Sequence, residues 1–194
     1  MTINTEIVAI VDASGSMYTL LADAIGGLNA FIDSQRQDKD TDKFSLVFFN
    51  SEVDVIYDGV LLKDVPAVTS KQYRPAGMTA LYDAVGSTID KVGKRLDALD
   101  ESEKPDKVLL VILTDGEENA SVEYTSDRVK AMLTHQQDVY SWGVIYLAAS
   151  EGGLKDGRSM GVKDADTVKF QPTCKGVKIG YDIMTNTSRL YKNA

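Results

Sequence analysis

Oxygen-bearing side chains follow two apolar runs of this sequence and precede a third apolar pattern. The run VAIV ends at Asp12, and Ser14 and Ser16 follow in the spacing Asp-x-Ser-x-Ser. The run VLLVIL is followed by a threonine and then by Asp115, and Thr79 lies in GMTALYDAV just ahead of apolar residues at helical spacing. Carboxylate and hydroxyl oxygens are ligands that hard divalent cations accept. These stretches therefore predict a cation site, provided that the fold brings them together.

The charge of that set indicates what the site does. Because all of its side chains offer oxygen, it favours Mg²⁺, Mn²⁺ or Ca²⁺ over Zn²⁺ or Cu²⁺. The two aspartates balance the charge of the ion, but an aspartate that binds through water leaves the ion electron-poor. Such an ion attracts a carboxylate from outside as its sixth ligand. We therefore expect a protein partner that offers Asp or Glu to the metal, and this binding needs no catalytic base.

Apolar runs predict the strands that carry these loops. Asn50-Ser51 separates two of the runs and indicates a tight hairpin, so that one strand pair is antiparallel. The predicted strands are Glu6–Val11, Lys43–Phe49, a half-exposed Glu52–Tyr57, Val108–Leu113, Val139–Leu147 and a short Thr167–Phe170.

Helical spacing of apolar residues predicts the helices between the strands. They are expected at Met17–Gln37, Leu81–Leu99, Thr125–His135 and Lys175–Tyr191, with a further short helix inside Ala148–Gly161. A long connection with two prolines, Gly59–Met78, precedes the second helix.

The alternation of strands and helices predicts an α/β fold. We expect a doubly wound, Rossmann-like and mostly parallel sheet with one antiparallel edge strand and helices on both faces. A length of 194 residues suits one domain, residues 1–194. In such sheets ligands lie beyond the carboxyl ends of the strands, so the loops at Asp12 and Asp115 should share one rim.

Composition excludes several classes of site and partner. A net charge of −8 weighs against nucleic-acid and anionic-membrane partners. With one cysteine, Cys174, and one histidine, His135, the chain has no intrachain disulfide and no His-rich or Cys-rich zinc site. We expect Cys174 to be a small filler near the last helix and His135 to lie at the surface. The first residues lack the pattern of a secretory signal, which favours a cytoplasmic protein.

Enzymatic motifs are missing from the sequence. It has no Gly-x-x-x-x-Gly-Lys-Ser/Thr phosphate loop, no Gly-x-Ser-x-Gly elbow and no histidine in the two principal loops. We therefore expect a binding module and not an enzyme. A metal-dependent hydrolase is the less favoured alternative, and a scaffold or assembly component with little metal dependence is another.

The polar residues also fit a known family pattern. Asp-x-Ser-x-Ser, a distant Thr and a distant Asp form the metal-ion-dependent adhesion site of von Willebrand factor type A (VWA) domains, and this chain resembles it at Asp12, Ser14, Ser16, Thr79 and Asp115. The resemblance implies that the hydroxyls coordinate the ion, that the aspartates bind directly or through water, and that a partner's Asp or Glu completes the shell.

That resemblance covers nearly the whole chain, from about residue 5 to about residue 191. The stretches GMTALYDAV and LTDGEEN are similar to the corresponding motifs of stand-alone bacterial or phage VWA proteins. Some of these proteins accompany tellurium-resistance and stress operons.

Each polar residue also has a simpler interpretation. Ser14 and Ser16 could cap the first helix, Thr79 could cap the second, and Asp115 could belong to a plain turn. Acidic residues after Asp115, Glu117 and Glu118, are expected to be solvated rim charges. Chain position further suggests that Tyr18, Tyr73 and Arg74 line the same rim and contact a partner.

Overall fold

A six-stranded sheet forms the centre of the molecule. The structure, a computed structural model, describes residues 3–36 and 41–194. The strands lie in the order β3-β2-β1-β4-β5-β6, and all pairs are parallel except β2 with β3, which are antiparallel. Their bounds are β1 Thr5–Asp12, β2 Lys43–Phe49, β3 Val53–Leu61, β4 Lys107–Thr114, β5 Gly143–Ala148 and β6 Thr167–Lys169. The predicted fold class is confirmed.

Five α-helices cover the two faces of this sheet. Their bounds are α1 Leu21–Arg36, α2 Leu81–Asp97, α3 Ser126–Tyr140, α4 Glu151–Ser159 and α5 Cys174–Asn193. Short 3-10 helices occupy Gly15–Leu20, Leu62–Asp64 and Asp164–Asp166. Within the described residues, none of the helices has both the length and the apolar character needed to cross a membrane.

Successive side chains of β1 point to opposite faces of the sheet and so enter two different hydrophobic cores. Ile7, Ala9 and Val11 belong to the core beneath α1 and α5, whereas Val8 and Ile10 belong to the core beneath the other three helices. Every residue of β1 is buried, because helices lie on both faces of a strand at the middle of the sheet. This strand therefore holds its last residue at a fixed place on the rim.

Register places the two polar loops at the same level of the sheet. Val11 of β1 lies opposite Leu113 of β4, and Asp12 lies opposite Phe49 of β2. Since β1 and β4 are adjacent and parallel, the residues that follow them leave the sheet at the same edge. The sequence-based expectation that Asp12 and Asp115 share a rim is confirmed.

Some predicted boundaries were wrong. The first helix does not start as an α-helix at Met17, because a 3-10 helix occupies Gly15–Leu20 and α1 begins after it. Its predicted last residue, Gln37, lies outside the described residues.

The predicted strand Val139–Leu147 starts too early. Val139 and Tyr140 complete α3, and Ser141 ends that helix in the left-handed conformation with φ 55°. The prediction took Val139 and Tyr140 for buried strand residues because they are apolar, but both side chains are more than half exposed. Strand β3 is also longer than predicted and reaches Leu61, and Cys174 is exposed as the first residue of α5 instead of filling a gap.

Close packing between α1 and α5 depends on one glycine. A Cβ atom on Gly27 would lie 2.2 Å from the ring of Tyr181, whereas a Cβ on its neighbour Gly26 would meet nothing within 4 Å. Tyr181 is itself buried in the core beneath these helices. The ring therefore occupies the space that a side chain at position 27 would need.

Gly27→Ala should destabilise the fold, and Gly26→Ala should not. The ring of Tyr181 must move in the first variant, and we expect the free energy of unfolding to fall by about 1–3 kcal/mol. The second variant gains helix propensity, and its free energy of unfolding should rise by up to about 1 kcal/mol. Urea unfolding followed by circular dichroism measures both. Equal stability of the two variants would contradict the packing described.

Candidate metal centre

Asp12 has a buried carboxylate whose two oxygens are both held. Oδ1 accepts a hydrogen bond from the backbone amide of Ser14 at 2.7 Å, and Oδ2 accepts one from the hydroxyl of Thr114 at 2.6 Å. The residue is 0% exposed. Its orientation is thus determined by the loop after β1 and the last residue of β4 together.

Three further predicted residues form one hydrogen-bonded chain. The hydroxyl oxygens of Ser14 and Ser16 lie 3.1 Å apart, and the hydroxyl of Ser16 donates to Oδ1 of Asp115 at 2.7 Å. These side chains come from the same two loops. The structure therefore brings the Asp-x-Ser-x-Ser stretch into direct contact with the aspartate that follows β4.

Thr79 adds a hydroxyl from a third loop. Two hydrogen bonds with Asn119 hold its backbone. The amide of Thr79 donates to Oδ1 of Asn119 at 2.9 Å, and the amide of Asn119 donates to the backbone oxygen of Thr79 at 3.0 Å. A Cβ atom on Gly116 would lie 3.1 Å from Oγ1 of Thr79 and 3.7 Å from Oδ2 of Asp12. Glycine at position 116 thus leaves open a space beside these two oxygens.

The hydroxyl of Thr79 has no hydrogen-bond partner among the described residues, and its oxygen keeps access to solvent although the residue is only 4% exposed. An accessible hydroxyl oxygen without a partner can serve as a ligand of an oxygen-ligated cation. Within the described chain no cluster of three or more His, Cys, Asp or Glu side chains could hold a metal. A cation here would therefore depend on hydroxyls as well as on the two aspartates.

Burial also acts on the charges of the site. It raises the pKa of Asp115 to about 6 and raises the pKa of Asp12, and the negative charge of Asp12 adds to the shift at Asp115. Both carboxylates are thus harder to ionise than in water. A divalent cation between them would favour the ionised forms, so the donor set fits such an ion.

The capping interpretations were wrong. Ser14 precedes the 3-10 helix, but its side chain makes no capping hydrogen bond. The residue at the N-cap of α2 is Ala80 and not Thr79. Asp115 makes a side-chain contact with Ser16 across the sheet and so does more than form a turn. Helix capping therefore does not account for Ser14 or Thr79.

Tyr73 supports the site from inside and does not line the rim, contrary to prediction. It is 1% exposed, and its hydroxyl donates to the backbone oxygen of Asp12 at 2.5 Å. The amide of Ala76 donates to the oxygen of Ala13 at 2.9 Å, and the amide of Gly15 donates to the oxygen of Gly77 at 3.1 Å. The segment from Tyr73 to Gly77 is therefore hydrogen-bonded to the loop after β1 at Asp12, Ala13 and Gly15.

Glu118 was also misassigned. Its carboxylate accepts hydrogen bonds from the amides of Tyr82, Ala120 and Ser121, so it holds the loop after β4 in place and is not a solvated charge. Sequence reasoning missed this role, and that of Asn119, because such contacts depend on how the loop folds back. By contrast, Glu117 is exposed, as predicted.

The family model of the von Willebrand factor type A domain matches residues 6–159. The chain belongs to this family. VWA domains commonly mediate metal-dependent protein interactions and bind a divalent metal at the metal-ion-dependent adhesion site. They are typically interaction modules and not enzymes. No match was found among curated proteins.

Solved structures share the VWA fold at low identity. A mutant of the PilB minor pilin from Streptococcus sanguinis aligns with a TM-score of 0.67 at 10% identity, over 100% of this chain and 62% of that one. A von Willebrand factor type A protein from Catenulispora acidiphila aligns with a TM-score of 0.63 at 16% identity, over 95% and 42%.

A third structure is occupied by a metal. Proximal thread matrix protein 1 from the mussel byssus has a zinc-occupied metal-ion-dependent adhesion site (MIDAS) motif. It aligns with a TM-score of 0.65 at 12% identity, over 94% of this chain and 47% of that one. This chain thus spans between 42% and 62% of the length of these proteins.

Asp115→Asn should stabilise the metal-free VWA domain at pH 7.5. The pKa of Asp115 in the folded state, about 6, lies above its ordinary value, so ionisation of this group costs stability as the pH rises through 6. We expect the variant to melt about 2–4 °C higher than wild type in EDTA at pH 7.5. This difference should vanish as the pH falls toward 4, and calorimetry across that range measures it.

The matched control is Asp182→Asn, which changes an exposed aspartate on α5. Its melting temperature should follow wild type at every pH. A wild-type protein that is more stable than Asp115→Asn in EDTA at pH 7.5 would contradict the electrostatic description of the site.

Proposed function

We propose that this VWA domain is a divalent-metal-dependent protein-binding module. In this proposal Asp12, Ser14, Ser16, Thr79 and Asp115 hold Mg²⁺, Mn²⁺ or Ca²⁺. The ion supplies an electrophilic position to which a partner's Asp or Glu binds. The observation that supports this most is the hydroxyl of Thr79, which has no partner among the described residues and lies beside the carboxylate of Asp12.

The charge balance of the site supports a bridging role. Its hydroxyl ligands are neutral, so Asp12 and Asp115 are the only negative charges among the five residues, and an aspartate that binds through water leaves the ion electron-poor. A hard cation in such a shell has affinity for a further carboxylate. The partner's acidic residue then contributes both a ligand and the missing charge.

The rim around the site is open to a macromolecule. Tyr18 is 70% exposed and Met78 is 52% exposed, and both lie within two residues of predicted ligands. Exposed aromatic and methionine side chains are enriched at protein interfaces. Tyr18 and Met78 are therefore the apolar contacts that we expect a partner to use.

Two alternatives give different results in the same experiments. A scaffold or operon-encoded assembly component would keep its partners without metal. A hydrolase would turn over substrate, although His135, the one histidine of the chain, is exposed on α3. We further infer that residues 1–194 form one VWA domain and that it acts in the cytoplasm, without nucleic acid or membrane as a partner.

Thr79→Val should weaken metal binding without unfolding the domain. Valine keeps the shape of threonine and removes the hydroxyl, so we expect the affinity for Mn²⁺ or Mg²⁺ to fall about tenfold or more, which is about 1.4 kcal/mol. Asp12→Ala should abolish binding. Isothermal titration calorimetry measures both, and Zn²⁺ belongs in the same panel because one structural neighbour carries it.

Thr88→Val is the matched control. Thr88 is also buried, at 3% exposure, and it lies within α2. Its hydroxyl has no hydrogen-bond partner in the described part of the chain. Its substitution should leave the metal affinity unchanged. Equal metal affinity of wild type and Asp12→Ala would refute the site assignment.

Partner capture should depend on a chelator. Protein partners retained by the wild-type domain in Mg²⁺ should be lost in EDTA and lost with Asp12→Ala, because each change removes the bridging ion. Affinity capture from the native host followed by mass spectrometry measures this. Retention of every partner in EDTA would favour the scaffold alternative.

A further inference from the structure

A polar cavity adjoins the loop that follows β1. Its volume is about 370 Å³, and it lies beside the last residues of β2, the edge strand β3 and the segment that contains Tyr73. The lining residues used below are Ala13, Phe48, Asp54, Ile56, Lys71 and Arg74. Since Ala13 stands between Asp12 and Ser14, the cavity and the candidate metal centre share one loop.

Two hydrogen bonds hold the basic side of the cavity against that loop. The hydroxyl of Tyr73 donates to the oxygen of Asp12, and the amide of Ala76 donates to the oxygen of Ala13. Lys71 and Arg74 flank Tyr73 in the chain. Because Tyr73 is buried and anchored, its exposed basic neighbours are kept close to the metal loop.

The charges of Lys71 and Arg74 are not used inside the domain. Neither side chain has an ion-pair or hydrogen-bond partner within residues 3–36 and 41–194. Among the described residues that line the cavity, Asp54 is the only acidic one, so the wall carries a net positive charge in a chain whose net charge is −8. Local positive potential of this kind attracts anions even where the overall charge repels them.

Apolar side chains complete the cavity. Phe48 is 3% exposed, and Ile56 of β3 lines the same cavity. A short aliphatic stem can pack against these two side chains. The arginine can also bind a carboxylate through two parallel hydrogen bonds. The chemistry of the cavity thus fits a carboxylate with a short aliphatic stem.

We propose that Lys71 and Arg74 form a second carboxylate subsite, so that the partner is an extended acidic segment with two acidic residues. One carboxylate binds the metal and the other enters the cavity beside it. This inference rests on the proposed function, because the first contact is the metal bridge. An extended chain rises about 3.3 Å per residue, so the spacing of the two acidic residues reports the distance between the subsites.

Synthetic peptides test the second subsite directly. One peptide carries a single Asp in a Gly/Ser background, and a series carries two Asp residues separated by one to six positions. Amide NMR titrations in Mg²⁺ measure the dissociation constants. For wild type we expect the best two-Asp peptide to bind about tenfold more tightly than the one-Asp peptide, which corresponds to one additional charged contact.

The double variant Lys71→Ala/Arg74→Ala should lose the tenfold preference for the two-Asp peptide and keep its metal site. Its affinity for Mg²⁺ should match wild type, since neither residue belongs to the metal shell, and it should bind the one-Asp and the two-Asp peptides equally. The control is Lys63→Ala/Lys94→Ala, which removes two exposed lysines that do not line this cavity. The control should keep the tenfold preference for the two-Asp peptide.

Different failures have different meanings. Equal binding of one-Asp and two-Asp peptides to wild type, both dependent on Mg²⁺, would overturn the second subsite and leave the metal bridge intact. A gain that appears only with phosphoserine in place of the second Asp would overturn the carboxylate assignment. Loss of all Mg²⁺-dependent peptide binding in wild type would overturn the proposed function and this subsite with it.

Discussion

The carboxylate of Asp12 lies out of water at the end of the central strand. One of its oxygens accepts a hydrogen bond from the loop after β1, and the other accepts one from the last residue of β4. A buried charge of this kind is unfavourable unless its surroundings compensate for it. The backbone amide of Ser14 and the hydroxyl of Thr114 do so in part. Their positions depend on β1 and β4 being neighbours in register. The geometry of the site therefore depends on the pairing of β1 with β4. The carboxylate of Asp12 at the end of β1 is only partly compensated, so a cation beside it is still favourable.

This constraint connects the fold to the proposed chemistry. The pKa of Asp12 and that of Asp115 are both raised, chiefly because of burial. A domain selected only for stability would gain by replacing them with neutral residues. Their presence beside a hydroxyl without a partner, that of Thr79, instead fits a shell that an ion completes. Stability and binding are then opposed at the same residues, as is common at functional sites.

The segment from Lys71 to Gly77 contributes to two surfaces at once. Its buried member, Tyr73, fixes the backbone of Asp12, and its exposed members place positive charge beside the metal loop. A long connection without regular structure can do this because its hydrogen bonds run to the loop after β1. The carboxylate chemistry of the metal and of the cavity would then act on the same partner.

Sequence alone determined the fold class, most of the strand and helix bounds, and the residues Asp12, Ser14, Ser16, Thr79 and Asp115 as a candidate set. These follow from local patterns, since buried strands are apolar and parallel strands deliver their loops to one edge. That the set holds a metal stays a prediction.

Only the tertiary structure decided which residues support that set. It turned Tyr73 inward, made Glu118 a support for its loop, clamped Thr79 with Asn119, and placed Val139 and Tyr140 in α3 instead of β5. Each of these outcomes depends on contacts between residues far apart in the chain or on which side of a helix faces solvent. No periodicity within a short window of sequence carries that information.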